Sequence, residues 1–355
     1  MSKTSKVLFI LKRREDYNAT VHTKIGLTTG LYNSANFMSD MLNTVGVEAK
    51  TVVVKDNNDI DREVSLYKPT HCIIEAIWVV PSKFQILQKL HPNVKWIIRI
   101  HSEMPFMANE GMAMGWFGDY IRFKNVVLAP NAPRMYRELR SFFLIKNPEL
   151  LGKIHEKLIY LPNYYPQKYK PAKNIDFHKD YIDFGCFGAI RPLKNHLLQA
   201  LASIEYADSI DKKAYFHINS GRIEMKGEPV LNNLRGLFEH VYDRGHQLIT
   251  HQWRDREGFL SLCREMDIGL QVSISETFNI VAADLITQGV PVVTSNEIPW
   301  ASNYFNANPV DSINIKNCIH KAYSTPKFNV VLNKFHLNRY TNNTKSIWKT
   351  YFKVK

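Results

Sequence analysis

Apolar and polar positions in this chain fall into short blocks whose period switches repeatedly between two and about 3.6. Val7–Leu11 is an apolar run closed by Lys12, Arg13 and Arg14, which predicts a buried first strand. Leu31, Ala35, Met38, Met41, Leu42 and Val45 recur at helical spacing, and Gly46 stops that helix. The same logic predicts strands at 47–54, 71–76, 94–100, 126–129 and 158–161, and helices at 59–67, 82–90 and 133–143. Strands that alternate with helices predict a parallel sheet covered on both faces.

The pattern breaks at 166–179, a stretch rich in Pro, Lys and Asn and poor in apolar residues, which reads as a linker. The alternation then restarts. Strands are expected at 182–187, 214–218, 247–250, 268–272 and 291–294, with helices at 196–207, 228–240, 255–265, 311–323 and 335–352. The expected organisation is an α/β protein of two Rossmann-like domains that face a central cleft. The first domain covers 1–165, the linker 166–179, the second domain 180–330 and a C-terminal helix 331–355, which returns to the first domain.

Composition changes this picture little, and charge changes it more. The 355 residues are 45% hydrophobic and 22% charged, ordinary values for a soluble globular protein with two cores. Cys72, Cys186, Cys263 and Cys318 have no paired spacing, so they read as buried thiols of a reducing compartment and not as metal ligands. The apolar runs are too short to span a bilayer, and Val7–Leu11 is too short for a secretory signal, which favours the cytoplasm. The net charge of +13 points to an anionic partner: a nucleic acid, an anionic membrane face or a phosphorylated substrate. Its denser groups are Lys12–Arg14, Arg134–Arg140 and the lysines 345, 349, 353 and 355.

Ligands of open α/β sheets bind beyond the carboxyl ends of the strands, and candidate chemistry sits at such exits. Gly188 ends one strand, and Arg191 and Lys194 follow in the loop and first helical turn, with Pro192 suited to that turn. Two cations at a helix start suit a diphosphate, although two solvated basic residues would look the same. A second exit holds Glu276, Thr277, Phe278 and Asn279, with Asp284 eight positions after Glu276. On one continuous helix the two acids would lie roughly 80° apart, so Glu276 is better used from the loop ahead of it. The backbone N–H groups of Thr277, Phe278 and Asn279 would then form another anion site. The competing reading is an ordinary helix start, capped by a hydroxyl with an acid near the positive end of the dipole. Asn219–Arg222 is a third exit, where Gly221 marks a turn. His101 follows the strand at 94–100 and reads either as a ligand contact or as a packed structural histidine. Asp59-Ile60-Asp61 has the spacing of a metal-binding acid pair but lies at a polar helix start, and no metal site is assigned.

These residues resemble the retaining GT-B glycosyltransferases, glycosyltransferase family four above all. The resemblance covers Ile182–Ser295 well. It rests on the loop Gly188-Ala189-Ile190-Arg191-Pro192-Leu193-Lys194, similar to the family's G-x-x-x-P-x-K, and on Glu276 to Asp284, similar to its E-x7-E. The first half matches only in the order of elements, the Gly26/Gly30 loop, His101 and Asn163. Two departures stand out: Ala189 occupies a position often held by Arg, and the second acid is an aspartate. The whole chain also looks like glycosyltransferases encoded by bacteriophages, which would place it in a host cytoplasm.

The resemblance implies a nucleotide-diphosphate-sugar as donor, with no further cofactor and no metal. Arg191 and Lys194 would neutralise the departing diphosphate, and Glu276 would orient the sugar. The amides of Thr277, Phe278 and Asn279 would hold phosphate oxygens, while Asp284 would accept from the ribose hydroxyls. The Gly26/Gly30 loop would close over the diphosphate, and His101 would contact the donor sugar or the acceptor. Retention on one face requires no protein nucleophile. The charge favours a modified base in DNA as acceptor, which would need a continuous basic groove. A glycan or lipid-linked acceptor would need an apolar or basic patch on the first domain. A GT-B binding module without turnover and a nucleotide-sugar epimerase are the alternatives from other classes.

Overall fold

A computed structural model describes residues 5–13 and 30–354. They divide into two compact units, the first comprising 1–166 and 341–355 and the second 167–340.

The first unit begins with β1 (Lys6–Lys12), α1 (Gly30–Thr44), β2 (Glu48–Val54), α2 (Asp59–Tyr67), β3 (His71–Glu75) and α3 (Lys83–Leu90). It continues with β4 (Lys95–Ile100), the short helices α4 (Met104–Met107) and α5 (Ala113–Tyr120), β5 (Val126–Pro130) and α6 (Pro133–Lys146). Its strands run parallel in the order β2-β1-β3-β4-β5. The apolar runs that marked the strands are buried on both faces, as parallel strands under helices must be. Residues 158–161, expected as a sixth strand, pair with β5 only through a single bridge at Leu128 and flanking backbone bonds. Three helical turns at the two ends of 104–120 were not expected, because the dense Met and aromatic residues there carry no clean period.

The second unit holds β6 (Tyr181–Gly185), α7 (His196–Asp208), β7 (Lys213–Asn219), α8 (Glu228–His240), β8 (Gln247–His251) and α9 (Arg256–Glu265). β9 (Ile268–Gln271), α10 (Ile280–Thr287), β10 (Val292–Thr294), α11 (Ser312–Ser324) and the long α12 (Pro326–Tyr351) complete it. The order is β10-β9-β6-β7-β8, all parallel, so the direction of winding reverses between β6 and β9. That reversal opens a crevice at the carboxyl ends of those two strands. The stretch expected as a linker is tied to this unit: Lys170 and Lys173 donate backbone bonds to Thr287 and Gly289. Lys173 Nζ reaches the Asp267 carboxylate at 3.1 Å.

α12 starts nine residues earlier than its apolar pattern suggested, with Pro326 in its first turn. In the second unit its Asn329 brackets Val292, accepting from its amide at 2.9 Å and donating to its carbonyl at 2.8 Å, and so closes the outer side of β10. The last turns belong to the first unit, as expected of a returning C-terminal helix. There Trp348 is fully buried, donates to the Pro162 carbonyl at 2.9 Å and packs on Phe9.

Candidate functional site

The loops that leave β6 and β9 flank the reversal point of the second unit, and they are stitched together. Ile274 donates its amide to the Leu193 carbonyl at 2.9 Å, and Asn195 Nδ2 donates to the Val272 carbonyl at 3.1 Å. The first loop turns at Gly188, whose φ of +119° suits only glycine, and its amide donates to Asn219 Oδ1 at 3.1 Å. Pro192–Lys194 form one tight turn, and Asn195 in the left-handed region starts α7.

This stitching brings the charged candidates together. Lys194 Nζ donates to Glu276 Oε1, and both side chains are about nine-tenths buried. Arg191 lies 3.7 Å from the same oxygen, and its other nitrogen lies 3.7 Å from Glu224. Burial opposes a charge on Glu276, but Lys194 and Arg191, with the Thr277 amide, hold its pKa below the usual carboxylate range. Glu276 is therefore an anion between two cations, in the loop and not on the helix. The helix-start reading of Glu276 fails on this point: α10 begins at Ile280 and is capped by Asn279, whose Oδ1 accepts from the Ala282 amide at 2.9 Å. For the same reason the three amides do not open the helix as a set. Thr277 turns its amide toward Glu276, Phe278 packs on Trp300, and Asn279 takes the cap.

Asp284 is buried in α10, where Arg256 at the start of α9 grips both its oxygens, at 2.6 and 2.8 Å. A ribose hydroxyl would have to share that carboxylate with a guanidinium. Sequence reasoning missed Arg256, and also Glu224, which accepts from Arg222 and faces Arg191. Glu224 lies beyond the exit of β7, whose expected turn at Gly221 gave the only signal. Beside Lys194 sits His196, wholly buried, its pKa pushed down to about 3 by burial and by Lys194 and Arg191.

His101 belongs to a separate polar cluster in the first unit. Glu75 ends β3, Arg99 lies in β4, and Asn131 follows β5; all three are buried. Arg99 donates to Glu75 Oε1 at 3.0 Å, to the Pro162 carbonyl at 3.3 Å and to Asn163 Oδ1. Glu75 Oε2 accepts from His101 Nε2, and Asn131 Nδ2 donates to His101 Nδ1 at 3.2 Å. One buried anion already balances one buried cation. A second positive charge on His101 would be uncompensated, so burial and Arg99 outweigh Glu75 and lower its pKa. His101 is thus neutral with its proton on Nε2. Of the remaining candidates, Gly30 opens α1, and Gly26 lies outside the described residues.

The Asp59–Asp61 pair is engaged elsewhere. Asp59 takes Arg62 at 3.0 Å, Asp61 takes His91 at 2.7 Å, and the described residues hold no cluster suited to a metal. All four cysteines are buried free thiols. No helix among the described residues is long and apolar enough to cross a membrane. Of the basic segment on α6, Arg134 is paired with Glu103 at 2.7 Å, while Arg137 and Arg140 are exposed. Arg137 also borders a groove of about 460 Å³ lined by Met104, Glu138, Ser141, Phe142 and Ile145.

No family model matches the sequence, and no curated protein matches it either. Solved structures do match the fold. An α,α-trehalose-phosphate synthase (UDP-forming) from Burkholderia vietnamiensis is similar over 99% of this chain and 96% of its own, with 9% identity and a TM-score of 0.68. A trehalose-6-phosphate synthase studied for glycosyl transfer with retention aligns over 98% of both chains, with 11% identity and a TM-score of 0.67. HepE from Anabaena, in complex with UDP and glucose, aligns over 98% of this chain and 95% of its own, with 12% identity and a TM-score of 0.59. The two five-stranded parallel sheets are those of the GT-B fold.

Proposed function

We propose that this protein is a GT-B glycosyltransferase, similar to family four, that moves a sugar from a nucleotide-diphosphate donor to an acceptor hydroxyl with retention. The observation that carries this reading is the buried Lys194–Glu276 pair with Arg191 beside it, built from the two loops at the reversal point of the second unit. Similar folds that act with retention or bind UDP and glucose support it.

In this reading Arg191 and Lys194 face the diphosphate. The anomeric C–O bond breaks with its electron pair going to the diphosphate, and the two cations stabilise the charge that develops there. The acceptor oxygen bonds to the anomeric carbon on the same face, and its proton passes to a leaving phosphate oxygen. Glu276, held ionised, accepts from hydroxyls of the donor sugar and fixes the anomeric carbon. Side-chain cations take the part that a metal plays elsewhere. Asp284 acts through Arg256, which it holds at the start of α9. His101, with Glu75 fixing its tautomer, is the proposed contact for the sugar or the acceptor.

A thermal-shift screen against nucleoside diphosphates and their sugars tests the reading, because a ligand of the native state raises apparent stability by mass action. At least one nucleotide should stabilise the protein and release its sugar to an acceptor. Glu276→Ala and Lys194→Ala should abolish transfer. A flat response to every nucleotide would sink the proposal.

The net charge and the exposed Arg137 and Arg140 favour a modified base in DNA as the acceptor. Duplex binding should weaken steeply with salt; no binding at low salt removes this acceptor. The groove beside Arg137 favours a second, amphiphilic class, a glycan or lipid-linked acceptor, because Met104, Phe142 and Ile145 line it.

A further inference from the structure

Residues 312–355 include nine Lys or Arg and not one Asp or Glu, so this stretch supplies +9 of the net charge of +13. It forms α11 and α12. Up to Tyr340 the inner face of α12 is closed against the second unit, with Asn329, Val330, Asn333 and Leu337 buried. The outer face is apolar where a surface helix is ordinarily polar. Phe328, Val331 and Phe335 are 51%, 64% and 61% exposed. Tyr304, 53% exposed, meets Phe328 at 5.7 Å between ring centroids. With 3.6 residues per turn, Phe328, Val331, Phe335 and the exposed Arg339 fall within about 80° of arc and make one stripe.

The rim of the stripe is basic on both sides. Lys321 Nζ lies over the Tyr304 ring at 4.4 Å, and Lys327 is exposed one residue before Phe328. On the other side Lys334 Nζ donates to the Lys170 carbonyl at 2.5 Å, and Gln167 Nε2 donates to the Asn338 carbonyl at 3.4 Å. These bonds lay the segment 167–170 along α12, which brings the exposed Lys168 and Lys170 to the same rim.

The rim decides what can cover the stripe. A second copy of this chain would set basic rim against basic rim, and facing like charges disfavour association. A nucleic-acid duplex would neutralise the rim, but its phosphate backbone offers nothing apolar to Phe328, Val331 and Phe335. An anionic lipid surface offers both partners: headgroups of opposite sign for the rim, and hydrocarbon just beneath them for the stripe.

We infer that the outer face of α12 from Lys327 to Arg339, with Tyr304, docks the protein on an anionic lipid surface. The apolar stripe enters the boundary between headgroups and acyl chains, and the basic rim lies on the lipid phosphates. Nothing in this depends on the nucleotide-sugar reading above.

Flotation of the full chain with vesicles of phosphatidylcholine alone, and of an equimolar mixture with phosphatidylglycerol, tests the docking. The wild type should bind the mixed vesicles, bind the neutral ones far more weakly, and lose affinity as salt rises. Val331→Ser with Phe335→Ser keeps every charge and should weaken binding by about tenfold or more. Lys327→Gln with Arg339→Gln keeps the stripe and should weaken it by about tenfold. All four side chains are exposed, so thermal unfolding of both variants should match the wild type. No binding to mixed vesicles, equal binding to both kinds, or either variant bound as tightly as the wild type would overturn the inference. Duplex DNA binding lost in the same variants, with vesicle binding unchanged, would give this face to nucleic acid instead. A dimer that Val331→Ser with Phe335→Ser separates, again with vesicle binding unchanged, would give it to a second copy.

Discussion

A buried carboxylate needs compensation, and Glu276 has it from Lys194 and, at 3.7 Å, from Arg191. Removing one partner of such a pair leaves the other uncompensated. Lys194→Met should therefore lower stability by about 3 kcal/mol, measured by urea unfolding without nucleotide. Adding Glu276→Gln to that variant should restore most of the loss, because the stranded charge is gone; a double variant as unstable as the single one would refute the pairing. His196 makes a pH prediction. Its folded pKa of about 3 lies below the ordinary histidine value, so the unfolded chain takes up a proton that the native state refuses. Its contribution to stability is full above about pH 6.5 and shrinks as the pH falls toward 3. Between pH 7.5 and pH 5 the wild type should lose about 2 kcal/mol more than His196→Leu does. At this scale the position of a residue was legible at strand exits, where Glu276, Arg191, Lys194 and His101 all stand. Glu75 and Arg99 were illegible because each lies in an apolar strand pattern, and its meaning comes from a neighbouring strand far away in the chain.

Two short elements set the geometry of the candidate site, and each depends on one residue in an uncommon backbone conformation. Gly188 at φ +119° leaves room for a Cβ, since the nearest atom is Lys194 Cε at 3.8 Å, so the constraint is backbone strain and not crowding. Gly188→Ala should cost about 1–3 kcal/mol and weaken donor binding together with stability. Asn279 has φ +54° and caps α10 with its side chain. Asn279→Ala loses the cap and keeps the strain, at a cost of about 1 kcal/mol or more; Asn279→Gly loses the cap but relieves the strain and should cost clearly less. Thermal unfolding of the two variants checks the order, and an alanine variant as stable as the glycine one would contradict it. The strands were easy to read because parallel strands buried on both faces are continuous apolar runs closed by Gly, Pro or charge. The segment at 158–161 misled because the same apolar signature serves a single bridge to β5. The competing reading of a hydroxyl cap near Glu276 fails because Asn279 takes the cap, with its Nδ2 donating to Gln271 Oε1 at 2.9 Å.

Across the whole molecule the chain makes two separate cores, yet the last helix serves both. Up to Tyr340 it belongs to the second unit, where Asn329 closes the side of β10, and from Thr341 it belongs to the first, where Trp348 packs on Phe9 and under Arg99. The amphipathic pattern and the expected return to the first domain announced such a helix, but not the point at 340/341 where it changes units, since both segments are simply half apolar. The division makes a prediction that separates the units. Trp348 is fully buried and supplies the N–H that satisfies the Pro162 carbonyl, so Trp348→Ala should destabilise the first unit by about 3–5 kcal/mol. The described residues proposed to face the diphosphate, Arg191 and Lys194, lie in the second unit. Calorimetry should then show one transition moved to lower temperature by Trp348→Ala and insensitive to nucleoside diphosphate. A second transition should stay in place and rise with nucleotide. A single transition that moves with both the substitution and the ligand would mean that the two cores unfold as one and that α12 transmits stability between them.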